Sequence, residues 1–163
     1  MKIVVCVKQV PDSWAEKKLS ADDKTLDRAS VDRVMNELDE YAVEEALTLA
    51  EAHGGEVTVL SMGPSQSNET IRKALSMGAN AGIHIQDDGL AGSDAIATSL
   101  AIAKVIEGRG VDLILFGSES TDARMSVIPA MVAERLGLPQ LTFANKVNAP
   151  GDGTVTAHRL TDY

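Results

Sequence analysis

The 163 residues are 44% hydrophobic and 24% charged but only 3% aromatic, which fits a folded globular chain with an aliphatic core and excludes a disordered or fibrous one. Fifteen Lys and Arg against 24 Asp and Glu give a net charge of −9, which argues against a nucleic-acid partner. The single cysteine, Cys6, excludes an intramolecular disulfide, a Cys-rich zinc site or a cysteine-ligated cluster within the chain and suits a reducing, cytoplasmic setting.

No apolar run reaches the roughly 18 residues of a membrane span, and the N-terminal run is too short and poorly flanked for a signal peptide. A cytoplasmic protein without membrane insertion is therefore expected. Folded compactly, a chain of this size exposes about 7,800 Å² around one core, so residues 1–163 read as a single α/β domain.

Taken in chain order, residues 3–7 form a continuous β-branched run, the pattern of a strand buried on both faces. Residues 8–35 then break the expected rhythm: they are polar and charge-mixed, too long for a plain connection, and predict a hairpin, a lid or an interaction arm. Asn36 stands at a capping position for a helix over 37–53, where its side chain can accept from the Asp39 amide. Seven acids lie between Glu37 and Glu56 with no Lys or Arg among them, as on a solvated helix face.

Strands are predicted at 57–60, 82–85 and 111–116, a fifth at 141–144, and a short one at 154–158. Helices fall between them at 67–77, 93–107 and 127–136, the last with Pro129 in its first turn and Gly137 as its stop. Alternating strands and helices predict an open parallel five-stranded sheet with helices on both faces.

Ligands of such sheets sit at the carboxyl ends of the strands, where strand order reverses. That directs attention to residues 8–12, 61–64, 87–88 and 117–126. The last segment is rich in hydroxyls, carries Arg124, and opens into a helix whose first amides can hold a phosphate. It reads equally well as a solvated loop with Ser126 as a plain N-cap.

Cys6, inside a buried run, reads as an inert small hydrophobe. Trp14, the only Trp, has no apolar stripe beside it and suits binding or an interface at least as well as a core. There is no G-x-G-x-x-G, P-loop or metal-spaced His pair, and no serine has an evident His partner. Residue chemistry alone reaches a nucleotide-sized binding module.

The segments Lys8-Gln9-Val10-Pro11-Asp12, Met35-Asn36-Glu37-Leu38-Asp39-Glu40-Tyr41-Ala42-Val43-Glu44-Glu45-Ala46 and Ile71-Arg72-Lys73-Ala74-Leu75-Ser76-Met77-Gly78-Ala79 carry a resemblance that covers nearly the whole chain. So do Asp112-Leu113-Ile114-Leu115-Phe116-Gly117 with Ser120-Thr121-Asp122, and Ala133-Glu134-Arg135-Leu136-Gly137-Leu138-Pro139-Gln140-Leu141-Thr142. Together they resemble the β subunit of electron transfer flavoprotein, in its Fix-type or actinobacterial-like form.

The resemblance implies a non-catalytic subunit in a heterodimer with an α subunit that carries the redox-active FAD. That complex passes electrons from acyl-CoA and related dehydrogenases, as in fatty acid oxidation, to the respiratory chain. It also implies an adenine-nucleotide-binding fold like that of universal stress proteins, holding AMP, or a second FAD in bifurcating relatives. A free-standing adenine-nucleotide sensor of the universal-stress type is the competing reading, which the 8–35 excursion disfavours.

Carried over by position, the implied nucleotide site comprises Cys6, Asn36, Glu37, Leu38, Asp39 and Met62. It continues through Gly117, Ser118, Glu119, Ser120, Thr121, Asp122, Ala123, Arg124, Met125, Ser126, Val127 and Ile128. Asn36 and Asp39 are expected to reach adenine or ribose, and Ser126 with the amides of Val127 and Ile128 to hold the phosphate. Ser13 and Trp14 map near the flavin of the α subunit. Two departures stand out: a phosphate loop that reads Asp122-Ala123-Arg124-Met125-Ser126-Val127 where many relatives place Gly, Asn, Gln or Thr in the stretch, and an end at Tyr163 where relatives continue into partner-docking segments.

Overall fold

The computed structural model describes residues 1–161. In chain order the elements are β1 (Lys2–Cys6), β2 (Gln9–Pro11), β3 (Arg33–Met35), α1 (Glu37–His53), β4 (Glu56–Met62), α2 (Asn68–Met77) and β5 (Ala81–Ile85). They continue with α3 (Ala95–Ile106), β6 (Leu113–Phe116), α4 (Ile128–Leu136), β7 (Ala144–Asn148) and β8 (Thr156–Arg159), with short 3-10 turns at Ser65–Ser67 and Asp88–Leu90.

Four parallel strands form the main sheet in the order β5-β4-β1-β6. The β1 register pairs Val4 with Thr58 on one side and with Ile114 on the other. This central position explains the unbroken apolar run, because alternate side chains of one strand must fill two cores. Ile3, Val5 and Val7 meet Ala42, Val43, Ala46 and Leu49 of α1 and Ala74 of α2 on one face. Val4 and Cys6 meet Ile102, Ala103 and Ile106 of α3 and Val132 of α4 on the other.

The chain steps outward from β1 through β4 to β5, then returns across the sheet to β6. Strand order therefore reverses between β1 and β6, and their carboxyl ends flank the crevice where open α/β sheets place ligands. Helix α4 keeps Pro129 in its first turn and stops at Gly137, whose φ of 64° suits the missing Cβ.

The α/β class and parallel sheet hold, but the sheet has four strands among the described residues and not five. Residues 141–143 do not join it, and Phe143 takes a left-handed φ of 55° that interrupts an extended run. Ala144–Asn148 instead pairs antiparallel with Thr156–Arg159, giving a separate two-stranded ribbon.

The 8–35 excursion is a long hairpin, closed by antiparallel β2 and β3 and by an isolated Leu19–Leu26 bridge. The molecule exposes 9810 Å², well above the roughly 7,800 Å² of a compact chain of this size. No helix among the described residues is long and apolar enough to cross a membrane.

Candidate functional site

At the carboxyl ends of β1 and β6 the backbone of Gly117 lies directly against the first turn of α1. A Cβ there would stand 2.3 Å from Asp39 Oδ1 and 2.8 Å from the Leu38 carbonyl carbon, so only glycine allows this approach. Asp39 is buried and accepts the Lys8 amide at 2.8 Å. Burial pushes its carboxyl up to about 6, against the opposing effects of the Asn36 side chain, the Lys8 and Gly117 amides and the Lys8 charge. One carboxylate thus joins the ends of β1 and β6 to the start of α1.

The loop over 117–127 is held from two sides. Asn36, fully buried, donates from Nδ2 to the Glu119 carbonyl at 2.9 Å and accepts the Thr121 amide on Oδ1 at 3.1 Å. Its side chain makes no cap bond to α1, so the expected capping role gives way to binding the loop. The Asp122 side chain is 1% exposed and receives Lys8 Nζ on Oδ1 at 2.9 Å and Arg28 Nη2 on Oδ2 at 2.6 Å. Burial alone would raise its carboxyl, but Lys8, Ser120 and Arg28 together hold it down at about 2.

At the far end of the loop, Arg124 and Ser126 have left-handed φ angles of 50° and 54°. Non-glycine residues take that region at a cost of roughly 1–2 kcal/mol each, so the surrounding bonds impose the shape. The Ser126 hydroxyl donates to Glu119 Oε2 at 3.0 Å, and Arg124 Nη1 lies 3.6 Å from Glu119 Oε1. Ser126 is therefore not a plain N-cap. Helix α4 starts at Ile128 with Val127 in the cap position and no side-chain cap.

Eight of the eighteen expected nucleotide-site residues come together at this junction of β1, β6 and α1. Asn36, Leu38 and Asp39 meet Gly117, Glu119 and Thr121 there, with Ser120 and Asp122 gathered around Lys8. Ser118, Ala123, Arg124, Met125 and Val127 are exposed along the loop. Cys6 and Ile128 belong to the apolar cluster under α3 and α4, and burial pushes the Cys6 thiol well up. Met62 ends β4, on the far side of β1 from the loop, and joins the same cluster.

Glu37 turns toward the arm, accepting the Ser13 hydroxyl at 3.0 Å. Trp14 is 95% exposed and lies on an open groove of about 630 Å³ that Asp12, Ser30, Val31 and Arg33 also line. Lys8 lies in the 8–12 segment that strand-end reasoning singles out but had no role assigned to it there, and Arg28 was absent from the expected site. The position of Lys8 directly after β1 was the available signal, whereas Arg28 sits in a stretch with no pattern to mark it.

The electron transfer flavoprotein domain matches residues 23–162. Among curated proteins, the electron transfer flavoprotein subunit beta of Mycobacterium tuberculosis (strain ATCC 25618 / H37Rv) is 49% identical over 166 residues, which cover 98% of this chain and 62% of that protein. The subunit beta of Thermoanaerobacterium thermosaccharolyticum is 38% identical, with 99% and 62% covered. Protein FixA of Sinorhizobium fredii is 41% identical, with 91% and 54% covered. The chain thus spans 54–62% of the length of these relatives. With the crevice at the β1/β6 switch point and a family match over most of its length, the chain belongs to the electron transfer flavoprotein family, on the side of its β subunits.

Proposed function

We propose that this chain is the nucleotide-binding part of an electron transfer flavoprotein β subunit. It holds AMP at the β1/β6 crevice and does no chemistry itself. The carrying observation is the loop over 117–127, fixed by Asn36 and Asp122 with Ser126 and Arg124 already gathered around one anionic group, the Glu119 carboxylate. Donors that hold a carboxylate suit a phosphate, so the residues fit the group. Asn36 and Asp39 have their polar atoms engaged within the protein and act as positioning residues. Ser126, Arg124 and the first amides of α4 hold the phosphate.

AMP supplies anchoring charge and no redox chemistry; the electrons travel through the FAD of an α subunit. The arm meets that subunit with Ser13 and Trp14 beside its flavin, in a complex that takes electrons from acyl-CoA or other dehydrogenases. The exposure of Trp14 and the groove beside it support this placement.

Acid extraction of the complex copurified with an α subunit tests the reading. One AMP per heterodimer is expected. A second FAD in its place identifies a bifurcating subunit, and failure to pair with any α subunit overturns the heterodimer in favour of a free-standing nucleotide sensor.

A further inference from the structure

The cations around the loop are unequally placed. Lys8 and Arg28 both reach Asp122, whose carboxylate is almost wholly enclosed. Arg124 is left as the loop's own cation, and Glu119 shares it at 3.6 Å while also taking the Ser126 hydroxyl at 3.0 Å. The Glu119 side chain is 28% exposed, so it can turn toward solvent without burying an unpaired charge. Its backbone is fixed independently, through the carbonyl that Asn36 Nδ2 holds. The side chain can thus leave while the Glu119 carbonyl and the Thr121 amide stay on Asn36 and the Arg124 amide stays on the Ser120 carbonyl.

We propose that Glu119 is a specificity-determining residue, a tethered anion that occupies the phosphate position and must swing out before a nucleotide phosphate can bind. This rests on the nucleotide reading above. Two anions cannot share Ser126 and one exposed guanidinium without mutual repulsion, so Glu119 weakens phosphate-bearing ligands and leaves the neutral nucleoside untouched. The result is a site tuned by competition, with its phosphate affinity set by the difference between an internal and an external anion.

Calorimetric titration of the nucleotide-free full chain with AMP and, separately, with adenosine tests this. Glu119→Gln keeps the side chain's shape and removes its charge. It is expected to tighten AMP by about tenfold or more while adenosine stays within about twofold. Glu119→Ala carries the same expectation and serves if the amide disturbs the loop. Unchanged AMP affinity in both variants, with both ligands still binding, overturns the role of Glu119 and leaves the nucleotide site standing. If neither ligand binds the wild type or the variants, the nucleotide reading falls and this inference falls with it.

Discussion

The arm that leaves β1 and the loop that leaves β6 begin on neighbouring strands at the same end of one sheet, yet they are secured in different ways. The loop is fixed by buried polar groups at close quarters: Asn36 bonds it twice, Gly117 lets it touch α1, and two of its residues hold left-handed backbone. The arm is mostly exposed, closed by three pairs of residues at its base, and tied to the body through Arg28 and Ser13. A small ligand needs donors set in place beforehand, which buried hydrogen bonds supply. A protein partner needs area and accessible aromatic groups, which an extended hairpin supplies.

Breaking the loop side has the larger expected effect. Gly117→Ala forces a Cβ into the first turn of α1 and is expected to destabilise the protein by about 3 kcal/mol. Urea unfolding reads this as a lowered midpoint, and an unchanged midpoint removes the close approach as a constraint.

Asp39 sharpens the contrast through pH. Its folded-state value of about 6 lies above the ordinary 3.8. Its favourable contribution is therefore complete below about pH 4 and is lost as pH rises through 6. Relative to Asp39→Asn, the wild type should lose up to about 3 kcal/mol between pH 4 and 7, a trend that parallel denaturation series at those pH values detect.

Asp122 works in the opposite direction. Its carboxyl is held at about 2, below the ordinary 3.8, so its contribution is present above about pH 4 and disappears as pH falls toward 2. Asp122→Asn should cost about 2 kcal/mol at pH 7, and the difference from wild type should close in acid. The arm sets the lower bound: with Trp14 at 95% exposure, Trp14→Ala should change stability by less than about 0.5 kcal/mol. The same substitution should alter the flavin absorption of the complex with an α subunit, and an unchanged spectrum takes Trp14 away from the flavin.

These regions also differed in how far the sequence revealed them. Strand β1 was legible because a strand buried on both faces must be apolar at every position, and α4 because Pro129 and Gly137 mark its two ends. The supposed strand at 141–144 had suitable residues, but strand identity depends on a partner. Phe143 turns left-handed, and Ala144 pairs with Arg159 instead.

Asn36 was correctly placed at the start of α1, but its side chain answers residues 119–121 across more than 80 positions. Arg28 had no local pattern at all, since its meaning lies in Asp122, 94 positions later. Periodicity reports the face an element buries. It carries no information about pairings that only the finished topology creates.

The shared carboxylate of Asp122 also fixes an order of events as the protein is made. Arg28 is synthesised early but acquires its counter-ion only after the residues that follow β6 have emerged and β6 has joined the sheet. Loop closure over such a span is slow compared with forming a hairpin, so the hairpin can close at its base well before it docks. During that interval the arm lacks its tie to the loop after β6, which is when a nascent chain is most open to chaperones or unwanted contacts. A contact that looks purely local in the finished protein has to wait until 94 further residues have been made.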